Sequence, residues 1–119
     1  MSSSMFERYG GFAKINRIVS AFYDRVLDSA LASPFFANTD MRRQIDHQTK
    51  FLSMLMGGPA SYTDDHLERV HARLGITDDA FDEVVLILQE TLEDFGVQND
   101  DVRLVAESFR SRRRIIVTR

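Results

Sequence analysis

A chain of 119 residues, 44% hydrophobic and 28% charged, is long enough for one domain that buries roughly two thirds of its unfolded surface, which excludes wholesale disorder. The absence of cysteine excludes disulfides, thiolate chemistry and Cys-based zinc or iron–sulfur sites. A net charge of −3 is too small to name a partner.

No uninterrupted apolar stretch approaches the roughly 18 residues of a membrane span. The opening MSSSMFERYGG lacks a basic region leading into an apolar run, so it does not read as a secretory signal. A single all-α domain over residues 1–119 is expected, soluble and cytoplasmic, with a basic end at about 110–119 that frays.

The punctuation divides the chain into helices. Ser4 to Glu7 forms a capping box that opens one short turn, stopped at Gly10-Gly11. From Phe12 the apolar positions Ile15, Ile18, Val19, Phe22, Val26 and Leu27 recur at three and four, predicting an amphipathic helix to about Asp28. Ser33-Pro34 reads as an N-cap followed by proline at the first helical position, starting a single turn through Phe35 and Phe36. Asn38-Thr39-Asp40 caps a longer helix through about Met56, ended by Gly57-Gly58-Pro59.

Thr63 or Asp64 then caps a short helix carrying Leu67, Val70, His71 and Leu74, closed by Gly75. Thr77-Asp78-Asp79 opens the next, with acids in the first turn where the helix dipole favours them. Its stripe is Phe81, Val84, Val85, Leu88, Leu92 and Phe95, and Gly96 ends it. A last helix starts near Asn99 or Asp100 and carries Val102, Val105 and Phe109, while the β-branched IIVTR end leaves the helix or frays. The result is four substantial helices and several single turns.

Charge is unevenly spread. Nine of the eighteen acids lie between Asp78 and Asp101, and six of the thirteen arginines lie between Arg103 and Arg119. Arg110, Arg112, Arg113 and Arg114 read as cations complementing a helix C-terminus. No aromatic interleaves them, so no nucleic-acid partner is expected.

Two features carry chemistry. His71 shares an apolar stripe with Leu67, Val70 and Leu74, where it is either a satisfied core histidine or a ligand. The Asp40–Met56 helix places Gln44, Gln48, Phe51, Leu52 and Leu55 within one arc roughly 100° wide, with His47 about 60° from Gln44. A face mixing glutamines with large apolar residues suits either a core boundary or the wall of a cavity. His66 lies about 140° around the helix from His71 and is most simply a surface residue.

The runs FYDRVL, SPFFANTDM, HQTKFL followed by GGP, and VHARLGIT resemble the group I truncated haemoglobins in order and spacing, from about Phe6 to Val105. The distal pattern is similar to that of cyanobacterial members. The resemblance implies a two-over-two helical sandwich around haem b, non-covalently bound, with His71 as proximal iron ligand. Phe36, beside Phe35, would pack on the porphyrin, with Phe51 and Leu52 also against it. Tyr23, Gln44 and Gln48 would be the distal hydrogen-bonding residues, and His47 would stand where cyanobacterial members supply a second histidine ligand. Lys50, Arg73 and Tyr62 are candidates for the haem propionates. Some cyanobacterial members bond a haem vinyl to a histidine in the last helix. No histidine follows His71 here, so that crosslink is not expected.

The residue types fit the implied chemistry. One axial imidazole leaves the sixth iron position open to a gas. The partly negative oxygen of bound dioxygen rewards donors such as a tyrosine hydroxyl or a glutamine amide by roughly 1.5–3 kcal/mol each. The resemblance therefore implies binding and transport of dioxygen, with nitric oxide and carbon monoxide as further ligands. It also implies oxidation of nitric oxide to nitrate with an external reductase. Two alternatives stand beside it: a bis-histidyl, hexacoordinate haem protein for electron transfer or redox or ligand sensing, and a haem-free helical interaction module.

Overall fold

The computed structural model describes residues 4–58 and 75–117. Within them lie α1 (Met5–Arg8), α2 (Gly11–Asp28), a 3-10 turn (Ser33–Phe36), α3 (Met41–Leu55), α4 (Asp78–Asp94), α5 (Asn99–Arg110) and α6 (Arg113–Ile116). No strand occurs among the described residues. Tyr62 and the predicted short helix before Gly75, with His66, His71 and Arg73, lie outside them.

Local chemistry sets most boundaries. Ser4 Oγ accepts from Glu7 N at 3.2 Å and starts α1, and Gly10 and Gly11 follow at φ 99° and 75°, a region side chains disfavour. Asp40 caps α3 through Arg43 N, and Thr77 caps α4 through Ala80 N. The turn after α2 differs from its expected capping. Ser33 is its first residue, and Ser29 provides the side-chain acceptor, taking a bond from Ala32 N at 3.2 Å. The chain end also differs: α5 stops at Arg110, and the backbone makes one more helical turn as α6.

Among the described residues, four long helices form two pairs. α2 packs most extensively on α3, and α4 on α5, while α2 meets α4 and α3 meets α5 across the layers. Ile15, Ile18, Val19, Phe22 and Val26 of α2 are buried, as are Phe81, Val85, Leu88 and Leu92 of α4 and Val102 and Val105 of α5. These follow the apolar period of each helix.

α1 is tied to both helix pairs. Phe6 N donates to Met56 O at 2.8 Å, and the Phe6 ring lies so close to Gly58 that a Cβ there would fall 2.5 Å from it. Towards the second pair, Tyr9 donates its hydroxyl to Asp101 Oδ2 at 2.5 Å and accepts from Gln98 N at 3.1 Å. Arg8 Nη1 reaches the same carboxylate at 3.2 Å.

The Tyr9 bond, with the bond and charge of Arg8, holds the Asp101 carboxyl below its ordinary value against the opposing effect of burial. A depressed acid stabilises the fold above its unfolded pKa, near ~3.9, and that stability is lost as pH falls through the folded value. Asp101→Asn is therefore expected to cost about 1–3 kcal/mol at pH 7, nearer the lower figure because Arg8 is partly exposed. Urea unfolding should show the deficit shrinking once the pH drops below the carboxylate range. A deficit independent of pH would contradict this account.

Candidate functional site

Between the two helix pairs lies a partly open cavity whose empty space, counted together with the solvent at its mouth, is about 420 Å³. Phe22 and Tyr23 of α2, Phe36 of the 3-10 turn and Gln48 of α3 form one side. Ile76, Phe81, Val84, Val85 and Leu88, with Phe109 of α5, form the other. The lining is apolar except for Tyr23 and Gln48.

The polar groups are gathered on the α2–α3 side. Tyr23, Gln44 and Gln48 are only 3%, 4% and 5% exposed. Gln44 Nε2 donates to Tyr23 Oη at 3.2 Å, which lowers the cost of burying both groups. The Tyr23 ring is held between Phe22, at 4.7 Å between centroids, and Phe36, edge-on at 5.8 Å. A hydroxyl can accept one hydrogen bond and donate another, so Gln44 can orient Tyr23 without using its proton.

The other sequence-selected residues fall in different places. Phe51 and Leu52 are buried, but neither is among the described lining residues, and Phe51 stacks edge-on against Phe109 at 5.1 Å. Phe35 and His47 are half-buried. Lys50 is exposed and pairs with Asp46 at 3.1 Å, one helical turn away. His71, Arg73 and Tyr62 lie outside the described residues. The chain leaves them at Gly58 and re-enters at Gly75, and Ile76, the fifth residue after His71, lines the cavity.

The α4 wall was not marked out by the sequence as a site. Phe81, Val85 and Leu88 follow the same period whether they face a packed core or a cavity. Val84, at the edge of that stripe, is half-buried.

The chain matches the family model described as bacterial-like globin over residues 4–117. It is 34% identical over 108 residues to the group 1 truncated haemoglobin of Synechocystis, covering 87% of each chain. The truncated haemoglobin of Tetrahymena pyriformis in its Fe(III) form superposes with a TM-score of 0.85 at 30% identity, covering 98% of this chain and 100% of that one. Solved forms of that protein include one altered at a tyrosine and two altered at glutamines. The 2/2 haemoglobin of Synechococcus, in the cyanomet state with covalently attached haem, gives a TM-score of 0.81 at 30% identity, with 98% and 100% coverage.

Two stacked helix pairs around a partly open cavity make this the two-over-two globin fold. The chain belongs to the bacterial-like globin family, among the truncated haemoglobins, and is a haem globin that binds diatomic ligands. Family membership leaves the haem-free helical module without support. No helix among the described residues is long and apolar enough to cross a membrane.

Proposed function

We propose that this cavity holds haem b non-covalently, with His71 as its iron ligand. There the protein converts nitric oxide to nitrate, NO + O2 + e− giving NO3−, with the electron supplied by a separate reductase. The observation that carries the reading is the Tyr23–Gln44 hydrogen bond beside Gln48 at the wall of an otherwise apolar cavity. The spacing from Tyr23 to Gln44 and on to Gln48 equals that of the tyrosine and two glutamines altered in the Tetrahymena pyriformis forms.

The residues present suit the cofactor. Phe36, Phe81, Val84, Val85, Leu88 and Phe109 offer the apolar surface that a porphyrin ring requires. Ile76, the fifth residue after His71 in the sequence, lines the same cavity. Non-covalent retention is supported by the lack of any histidine after His71.

A bound haem iron supplies the redox centre and a coordination position for a diatomic ligand. The chain supplies binding, orientation and electrostatics. Tyr23 donates its hydroxyl towards a ligand that gains negative charge, Gln44 holds that hydroxyl in place, and Gln48 adds an amide donor. The apolar wall excludes water from the reacting gases.

Oxygenated ferrous protein mixed with nitric oxide is expected to yield about one nitrate per haem, and turnover once a reductant is supplied. Nitrate far below haem would overturn the dioxygenase reading.

His47 favours a second reading. It is half-buried on α3, immediately before Gln48, and is not among the described lining residues, so reaching a bound iron would require α3 to shift towards the haem and rotate. A six-coordinate ferrous spectrum in the absence of gas, becoming five-coordinate in His47→Leu, marks the bis-histidyl electron-transfer or sensing protein. A five-coordinate wild type excludes it.

A further inference from the structure

The arginine-rich end is engaged with the molecule itself. Arg103 pairs with Asp100, Arg110 Nη2 donates to Gln89, and Arg112 lies over the Phe51 ring at 5.3 Å. Arg113 makes the most connected arrangement. Its Nη1 donates to Asp78 at 2.8 Å, its Nη2 donates to Asp82, and its guanidinium carbon sits 4.7 Å above the centre of the Phe81 ring.

All three partners lie on the first turns of α4. Asp78 and Asp82 stand one turn apart and flank Phe81, so a planar, forked cation can bind both carboxylates while it stacks on the ring between them. Phe81 is buried and lines the cavity, whereas Arg113 is not among the described lining residues. The guanidinium therefore meets the cavity wall at the Phe81 ring. A single exposed ion pair contributes little. A guanidinium held by two carboxylates and one aromatic face loses little further freedom, and it restricts the ring it covers.

We infer that Arg113 is a positioning residue of the haem pocket, holding Phe81 as a fixed wall and so slowing haem loss. The inference rests on haem occupying this cavity. It gives two acids at the start of α4 and one arginine of the chain end a shared tertiary contact.

The test is haem transfer from the holoprotein to excess apomyoglobin, for the wild type, Arg113→Ala, Arg113→Lys, Phe81→Leu and the Arg113→Ala/Phe81→Leu double variant. Arg113→Ala is expected to speed haem loss about two- to thirtyfold. Arg113→Lys should recover part of the difference, because lysine keeps the charge without the planar fork. In the Phe81→Leu background the Arg113→Ala effect should fall below about twofold, since residues acting through one contact are not additive.

An unchanged rate in Arg113→Ala, or the same factor in both backgrounds, would overturn the inference while leaving the pocket assignment intact. A wild type that takes up no haem would overturn both. Should Arg113→Ala not fold, Asp82→Asn carries the test: faster haem loss supports the contact and an unchanged rate overturns it.

Discussion

His71→Ala is expected to lose most of its haem on gel filtration, while His66→Ala keeps it. Removing groups that merely orient a metal ligand costs about 10–100-fold in affinity, so removing the ligand itself should exceed that range. The apolar walls of Phe36, Phe81 and Leu88 would still attract porphyrin, but without an iron bond to hold it. Added imidazole should restore part of the wild-type Soret spectrum in His71→Ala by occupying the vacated position. If both variants hold stoichiometric haem with unchanged spectra, His71 is not the iron ligand.

Tyr23→Phe is expected to speed oxygen dissociation about ten- to a hundredfold, the equivalent of one charge-assisted hydrogen bond. The phenyl ring keeps the packing against Phe22 and Phe36, so the change isolates the hydroxyl. It also removes the acceptor of the Gln44 amide, so Gln44→Leu should reproduce a smaller part of the effect through lost orientation. Carbon monoxide carries less charge when bound and should respond far less. Stopped-flow dissociation of both gases decides the point, and equal effects would mean that Tyr23 acts by shape.

How much of this was legible in the sequence depended on how local each cause is. Asp40, Thr77 and the glycine stops bracket their helices through contacts a few residues apart, and those boundaries were readable. The mixed face of α3 was also readable, and Gln44, Gln48, Phe51 and Leu52 are all buried. The second buried stripe of α3, Thr49 and Ser53, was not. Their hydroxyls bond the carbonyls one turn back, at 2.7 and 2.6 Å, and Asn16 of α2 reaches Thr49. Small polar residues satisfied in this way can line a helix contact yet leave no trace in a hydrophobic period.

The site was legible only in part for a related reason. Tyr23 and Gln44 are 21 residues apart and bonded, a pairing that helical periodicity cannot announce and that the family resemblance suggested. Arg113 and Asp78, 35 residues apart, left only a compositional hint in the opposed charge of two segments. Ser33 does not cap its turn because the nearby Ser29 offers its hydroxyl to Ala32 N from the end of the preceding helix.

The central claim is that one haem enters this cavity with its iron held on one side and open to a gas on the other. Titration of the chain with haem, followed by reduction and exposure to carbon monoxide, tests it most directly. The account predicts Soret absorbance that saturates near one haem per chain, and a ferrous spectrum that shifts fully when carbon monoxide is added. Absorbance that rises without saturation, or a saturated ferrous spectrum unmoved by carbon monoxide, would contradict it.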